Sequence, residues 1–141
     1  LDGFPRTMEQ AHALEKTIKI DLVVNFVLAE DILLEKALAR RVCKNCGNTY
    51  NVAEIRRGKI VMPPLLPKVH NRCDKCGGPL VQRSDDNEKT IKDRIKVYEN
   101  QSLPLLKYYR QKNLVHDVDV IGSPEVMVPM VVDAIRKHVK N

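Results

Sequence analysis

LVVNFVLA, Leu22 to Ala29, decides the fold class. The run is β-branched, almost wholly apolar and only eight residues long, which predicts a strand covered on both faces in a parallel sheet. Working outward, Thr7 is placed to cap a helix, and Gln10 three residues on completes a capping-box pattern. Ala11, Leu14 and Ile18 continue at helical spacing, so a first helix is expected over Met8 to Lys16. A second helix starts near Asp31, and continuing its periodicity puts Arg41 on the apolar face with Leu34, Ala37 and Leu38. Further along, SDDNEKT, Ser84 to Thr90, reads as a helix start with Asp85 as candidate cap. Ile91, Ile95 and Tyr98 mark a buried stripe, and Pro104 interrupts or restarts that helix. LVHDVDV, Leu114 to Val120, is a second strand, Gly122 and Pro124 a turn, and Val126 to Val139 a closing amphipathic helix. Helices alternating with strands around a central insert predict an α/β body with a parallel sheet.

Composition bounds the rest. The chain has 141 residues, 43% hydrophobic and 30% charged, enough for one sizeable core and typical of a globular protein. No apolar run approaches the ~18 residues that cross a bilayer, and no secretory signal opens the chain, so a cytoplasmic protein with no membrane partner is expected. A formal charge of +6 favours anionic partners.

CKNCG, Cys43 to Gly47, and CDKCGG, Cys73 to Gly78, are near copies of one knuckle. Each CxxC wraps one metal, and a Gly after the second Cys tolerates the backbone angles this demands. Cys43, Cys46, Cys73 and Cys76 therefore predict a closed four-thiolate site, structural and best suited to Zn²⁺, although tetrahedral sulfur also suits iron. The competing reading is four unrelated cysteines or two reactive thiol pairs, and the duplicated knuckle argues against it. His70 could in principle replace a ligand, yet beside a complete cysteine set it reads as a surface residue. Between Cys43 and Val81 helical periodicity disappears, which predicts a separate minidomain ordered largely by its metal.

Arg6, Arg40, Arg41, Arg83 and Arg94 stand at element boundaries or on apolar faces. Referenced to Ile91, Arg94 falls in an apolar sector with Ile95 and Val97, so it is expected to be half-buried and to need an anion. Any single arginine pairs most often with a protein carboxylate or snorkels to water. Five around one insert point to polyphosphate, because guanidinium forks match phosphate oxygens. Asp2, at a strand end, is placed like the acid that holds Mg²⁺ in phosphotransferases, although Asp-Gly alone is more often a turn.

DGFPRT with Gln10 after it, Arg40-Arg41 leading into CxxC, Thr49-Tyr50 after the knuckle, RSDD and then Arg94 occur in one order. In that order they resemble the adenylate kinases, in the form whose lid carries zinc. The resemblance covers nearly the whole chain. It implies a three-layer parallel sheet of the P-loop nucleoside monophosphate kinase type, present in part, with an inserted small β zinc-binding lid. The implied divisions are a first core segment over 1–39, the lid over 40–84 and a second core segment over 85–141. The implied reaction is ATP + AMP = 2 ADP with Mg²⁺, held through water by Asp2. Carried over, Gly3, Phe4, Pro5, Arg6 and Gln10 line the AMP site. Arg40, Thr49, Tyr50 and Ser123 bind ATP, and Arg40, Arg83 and Arg94 act in catalysis, the last two also on AMP. ATP, AMP and ADP are the expected partners, with no nucleic acid, and a full-length protein of this kind is expected to be a monomer.

Three positions depart from the family pattern. Lys36 stands where an arginine is usual, and an ammonium does not stack on a base as a planar guanidinium does. RRGKIVMPPLLPK, Arg56 to Lys68, makes the span between knuckles longer. Cys76 is the fourth ligand where some relatives carry Asp. The family's Gly-rich phosphate loop and the segment that embraces AMP have no counterpart in these residues. The chain therefore reads as the C-terminal two-thirds of such a kinase, and alone it is expected to lack appreciable activity. A kinase for another nucleoside monophosphate is one alternative. A zinc-ribbon nucleic-acid module is another, disfavoured by 4% aromatic residues and by arginines that flank the insert instead of covering one face.

Overall fold

The computed structural model describes residues 3–139, with the side chain of Val139 left aside; Asp2, the candidate magnesium holder, lies outside the described residues. The chain is mixed α/β and divides into two compact units. The first comprises the described residues up to Val27, with Asp93–Asp119 and from Val128 onward; the second is Leu28–Lys92 with Val120–Met127.

In the first unit, β1 (Val23–Val27) pairs in parallel with β7 (Val115–Asp119), in register from Val23 opposite Val115 to Val27 opposite Asp119. Helix α1 (Met8–Glu15) begins as its sequence demands: the Thr7 hydroxyl accepts from the Gln10 amide at 3.4 Å, and Gln10 Oε1 accepts from the Arg6 amide at 2.7 Å. Ala11 of α1, with Leu105 and Tyr109 of α3 (Glu88–Gln111), forms the buried centre, and Val23 and Val115 pack against it. This covering reaches the start of the ladder. Phe26 and Val27, at its end, are 56% and 42% exposed, so β1 is not covered on both faces as its composition predicts.

Helix α3 runs unbroken for 24 residues through Pro104. The proline costs the helix one backbone bond, since it has no N–H to give, and Leu105 is anchored in the core immediately after it. Its cap is Asn87, not Asp85. The Asn87 Oδ1 accepts from the Thr90 amide at 2.9 Å, while Asp85 is held by Arg83 at 2.8 and 3.0 Å.

The second unit is built on α2 (Glu30–Leu38). The helix ends before the arginines, and Arg40–Cys43 is strand β2, flanked by β3 (Thr49–Asn51) and β6 (Leu80–Val81) in an antiparallel sheet. Arg41 pairs with Tyr50 of β3, so the predicted helical face does not extend to it. Instead its guanidinium donates to the carbonyls of Leu38 and Arg40, at 3.2 and 2.8 Å, closing the helix end.

Between the knuckles the chain forms a hairpin, β4 (Ile55–Arg57) with β5 (Ile60–Met62), turning through Gly58 and Lys59. Gly58 has φ +56°, the left-handed geometry that a two-residue hairpin turn requires. Ile55 and Met62, opposite each other across the hairpin, are 1% and 4% exposed and pack with Ile32 of α2 and with Ala53, Leu28 and Val120. Arg57 reaches along α2 to Asp31 and, at 2.6 Å, to Glu35. Among the described residues no helix is long and apolar enough to cross a membrane.

Candidate functional site

Two structures in the second unit carry chemistry. The first is the pair of knuckles. In each, the amide four residues past the first cysteine folds back: the Gly47 amide donates to the Cys43 carbonyl at 3.0 Å, the Gly77 amide to the Cys73 carbonyl at 2.8 Å. Gly47 and Gly77 have φ of +73° and +70°, which explains the glycine after each second cysteine. These turns bring the four Sγ atoms within 4.8 Å of one another, with Cys43 to Cys76 at 3.4 Å and Cys46 to Cys73 at 3.6 Å. A tetrahedral metal with ~2.3 Å bonds sets its sulfurs roughly 3.8 Å apart, so the cluster fits such an ion.

The electrostatics of the cluster point the same way. Burial opposes ionisation of Cys73, but donation from the Lys75 amide and the Tyr50 hydroxyl overcomes it and brings the thiol to about 6. Cys76 receives the Gly78 amide, yet the neighbouring sulfurs of Cys46 and Cys43 push it up to about 12. Packed sulfurs resist a second negative charge unless a cation joins them. Tyr50 braces the knuckle from beneath: it is 4% exposed, its hydroxyl donates to Cys73 Sγ at 3.7 Å and accepts from the Asp74 amide at 2.7 Å. His70 is exposed and stands outside the cluster.

The second structure is a cavity of about 580 Å³ assembled from four stretches of chain. Its polar lining includes Lys36, Arg40, Thr49, Ser123 and Glu125; Leu28, Met62, Pro64 and Leu65 are among its apolar residues. Tyr50 also borders it, with its hydroxyl committed to the knuckle. Arg40 is held from behind. Its Nε donates to Asp86 Oδ2 at 3.0 Å and a second nitrogen to Oδ1, and the Asp86 side chain is wholly buried. The guanidinium holds Asp86 well below the usual carboxylate range, and the carboxylate in turn raises Arg40. Gln82 clamps the same turn by donating to the carbonyls of Leu38 and Asp86. At Lys36, partial burial lowers the ammonium, while its carbonyl accepts from the Asn51 side chain at 2.8 Å. Ser123 opens α4 (Pro124–Val139), its carbonyl accepting from the Val126 and Met127 amides.

The predicted ATP residues Arg40, Thr49, Tyr50 and Ser123 thus border one cavity. The other predicted residues lie elsewhere. Arg83 is exposed beside Asp85. Arg94 is exposed, not half-buried, because its sector of α3 is at the surface, with Val97 and Tyr98 at 52% and 47% exposure. Gly3, Phe4, Pro5, Arg6 and Gln10 lie in the first unit, at the entry to α1, where Pro5 borders an apolar cavity of about 330 Å³. Sequence reasoning passed over Asp86. The signal was present in an acid following an Arg-Ser-Asp run, but a role for it requires knowing that Arg40 lies behind it.

A chain with helices around a parallel strand pair, a four-cysteine cluster and an arginine-bearing cavity belongs among α/β proteins with a four-cysteine knuckle. More narrowly, it belongs to the adenylate kinase family, whose model matches residues 1–114. It is 44% identical to an adenylate kinase of Archaeoglobus fulgidus over 84% of this chain and 52% of that protein. It is 42% identical to the chloroplastic adenylate kinase 1 of Arabidopsis thaliana over 96% of this chain and 48% of that protein. With an adenylate kinase of Thermosipho melanesiensis the identity is 37% over 97% of this chain and 62% of that protein. The chain spans about half the length of the curated relatives it matches.

Proposed function

We propose that the chain serves reversible phosphoryl transfer from ATP to AMP, giving two ADP, and that the cavity beside the knuckles takes ATP. The observation that carries this reading is the gathering of Arg40, Lys36, Thr49 and Ser123 around one cavity of nucleotide size, within a chain of the adenylate kinase family. Arg40 is oriented before any ligand arrives, since both oxygens of Asp86 are spent on it. A guanidinium so fixed stabilises phosphate charge without reorganising during transfer. Ser123, at the opening of α4, borders the same cavity and would meet the base.

In this reading the segment 40–84 is the lid of a kinase of the P-loop nucleoside monophosphate type, flanked by core segments 1–39 and 85–141. Closure of such a lid keeps water from competing with AMP for the phosphoryl group. Zn²⁺ bound by Cys43, Cys46, Cys73 and Cys76 would stiffen it and take no part in the reaction. Gly3, Phe4, Pro5, Arg6 and Gln10 would hold AMP, and Arg83 and Arg94 would swing onto the phosphates around the transfer. Mg²⁺ enters with ATP, with Asp2 as its proposed outer partner.

Calorimetric titration of the zinc-loaded chain with ATP tests the core of this. Saturable binding, weakened about tenfold or more by Arg40→Gln, is expected for a charge-assisted phosphate contact. No binding, or equal binding by that variant, would overturn the reading.

A further inference from the structure

We infer that the β4–β5 hairpin and the Met62–Leu65 stretch leaving it are the base-binding element of the ATP cavity, forming the wall against which the base packs. This rests on reading that cavity as a nucleotide site. Met62, Pro63, Pro64 and Leu65 all border it, and none of their side chains carries a hydrogen-bonding group beyond the Met62 thioether. Arg40, by contrast, is committed to anions. Chemistry therefore orients the ligand: phosphates toward Arg40, the flat base against the apolar stretch.

A wall must be fixed to select anything, and this one is fixed at both ends. On the hairpin side, Ile55 and Met62 are sunk among Ile32, Leu28 and Val120, and the Val61 amide donates to the Ile121 carbonyl at 2.8 Å. That bond ties β5 to the loop carrying Gly122 and Ser123, which also border the cavity. At the far end, Leu65 and Asn51 exchange both backbone bonds, at 2.8 and 3.0 Å, which ties the wall to the strand carrying Thr49 and Tyr50. Arg57 adds a clasp on Asp31 and Glu35, one turn apart on the helix that presents Lys36. The hairpin thus joins the stretches around the cavity to one another.

An apolar wall recognises a base by its face and leaves the edges unread. It contributes to ATP binding and nothing to the binding of phosphates alone. The zinc-loaded chain is therefore titrated by calorimetry with two probes, ATP and inorganic tripolyphosphate, alongside Arg57→Ala and Leu65→Ser. Leu65 is 60% exposed, so its substitution leaves the fold intact even if loss of the clasp does not. Leu65→Ser is expected to weaken ATP by about threefold to tenfold and Arg57→Ala by about twofold to fivefold, while tripolyphosphate changes by less than about twofold. Equal loss of both probes would mean general loosening and would overturn the wall. Unchanged ATP binding in both variants would also overturn it and leave the nucleotide cavity standing. A parent chain that binds neither probe would remove the nucleotide reading and this inference together.

Discussion

The knuckle and the β4–β5 hairpin lie in the same inserted segment, are both made of short strands, and are held together by opposite means. Around the knuckle the buried residues are Cys43, Tyr50 and Cys73, with Leu80 against them, a set too small to order a sheet by burial. The hairpin instead places Ile55 and Met62 in a cluster with Ile32 of α2 and adds an ion-pair clasp on that helix. One sub-structure presents four thiols that could hold an ion; the other rests on a neighbouring helix. Two segments that adjoin in sequence can therefore respond to different perturbations.

Removing the metal should separate them most sharply. Chelation, or Cys73→Ser, is expected to melt the β3-β2-β6 sheet outright, because metal binding supplies about 10 kcal/mol or more to knuckles of this kind. Amide exchange should then show Tyr50 and Leu80 unprotected while Val61, bonded to the Ile121 carbonyl, and Ile55 and Met62, opposite each other in the hairpin, keep protection. Loss of protection at both would show that the hairpin also leans on the metal.

Ile55→Ala reverses the pattern. It leaves a void in the cluster on α2 and is expected to cost about 2–5 kcal/mol in denaturant unfolding. The affinity of the four thiolates for zinc should change little.

Asp86→Asn strikes the link between β2 and the turn before α3. It leaves Arg40 with a neutral partner and should cost about 1–3 kcal/mol near neutral pH. The sign of the pH dependence follows from the shift. Asp86 is depressed in the folded chain, so its contribution is complete above the ordinary carboxylate range and disappears as pH falls through that range toward the depressed value. Acid unfolding of the parent chain should show this loss, and Asp86→Asn should flatten it.

Arg57→Ala should have the smallest effect on stability. The arginine and its partners are substantially exposed, and pairs of that kind contribute about 0.5–1 kcal/mol at most, less at high salt. A loss far above that range would mean that the clasp supports the cluster beneath it.

Legibility followed the reach of the forces involved. Helix α1 was readable because Thr7 and Gln10 act within a single turn, and the four cysteines because the duplicated spacing is itself the geometry of the knuckle. Arg94 was misread because a helical wheel assigns faces without knowing which face has a neighbour. Arg41 was misread because periodicity does not see the strand that pairs with it, through Tyr50. The cap at Asn87 escaped because three candidate acceptors stand close together, and Asp85 was taken by Arg83.

By itself the order of residues determined the alternation of helix and strand, the clustering of the four cysteines and the family, since each rests on contacts close in sequence or on motifs in fixed order. Tertiary structure alone decided that Asp86 orients Arg40, that the residues between the knuckles lie down on α2, and that four distant stretches enclose one cavity. Those outcomes depend on which apolar faces meet and which buried charge finds a partner. Both are settled only when segments far apart in the chain compete for the same volume.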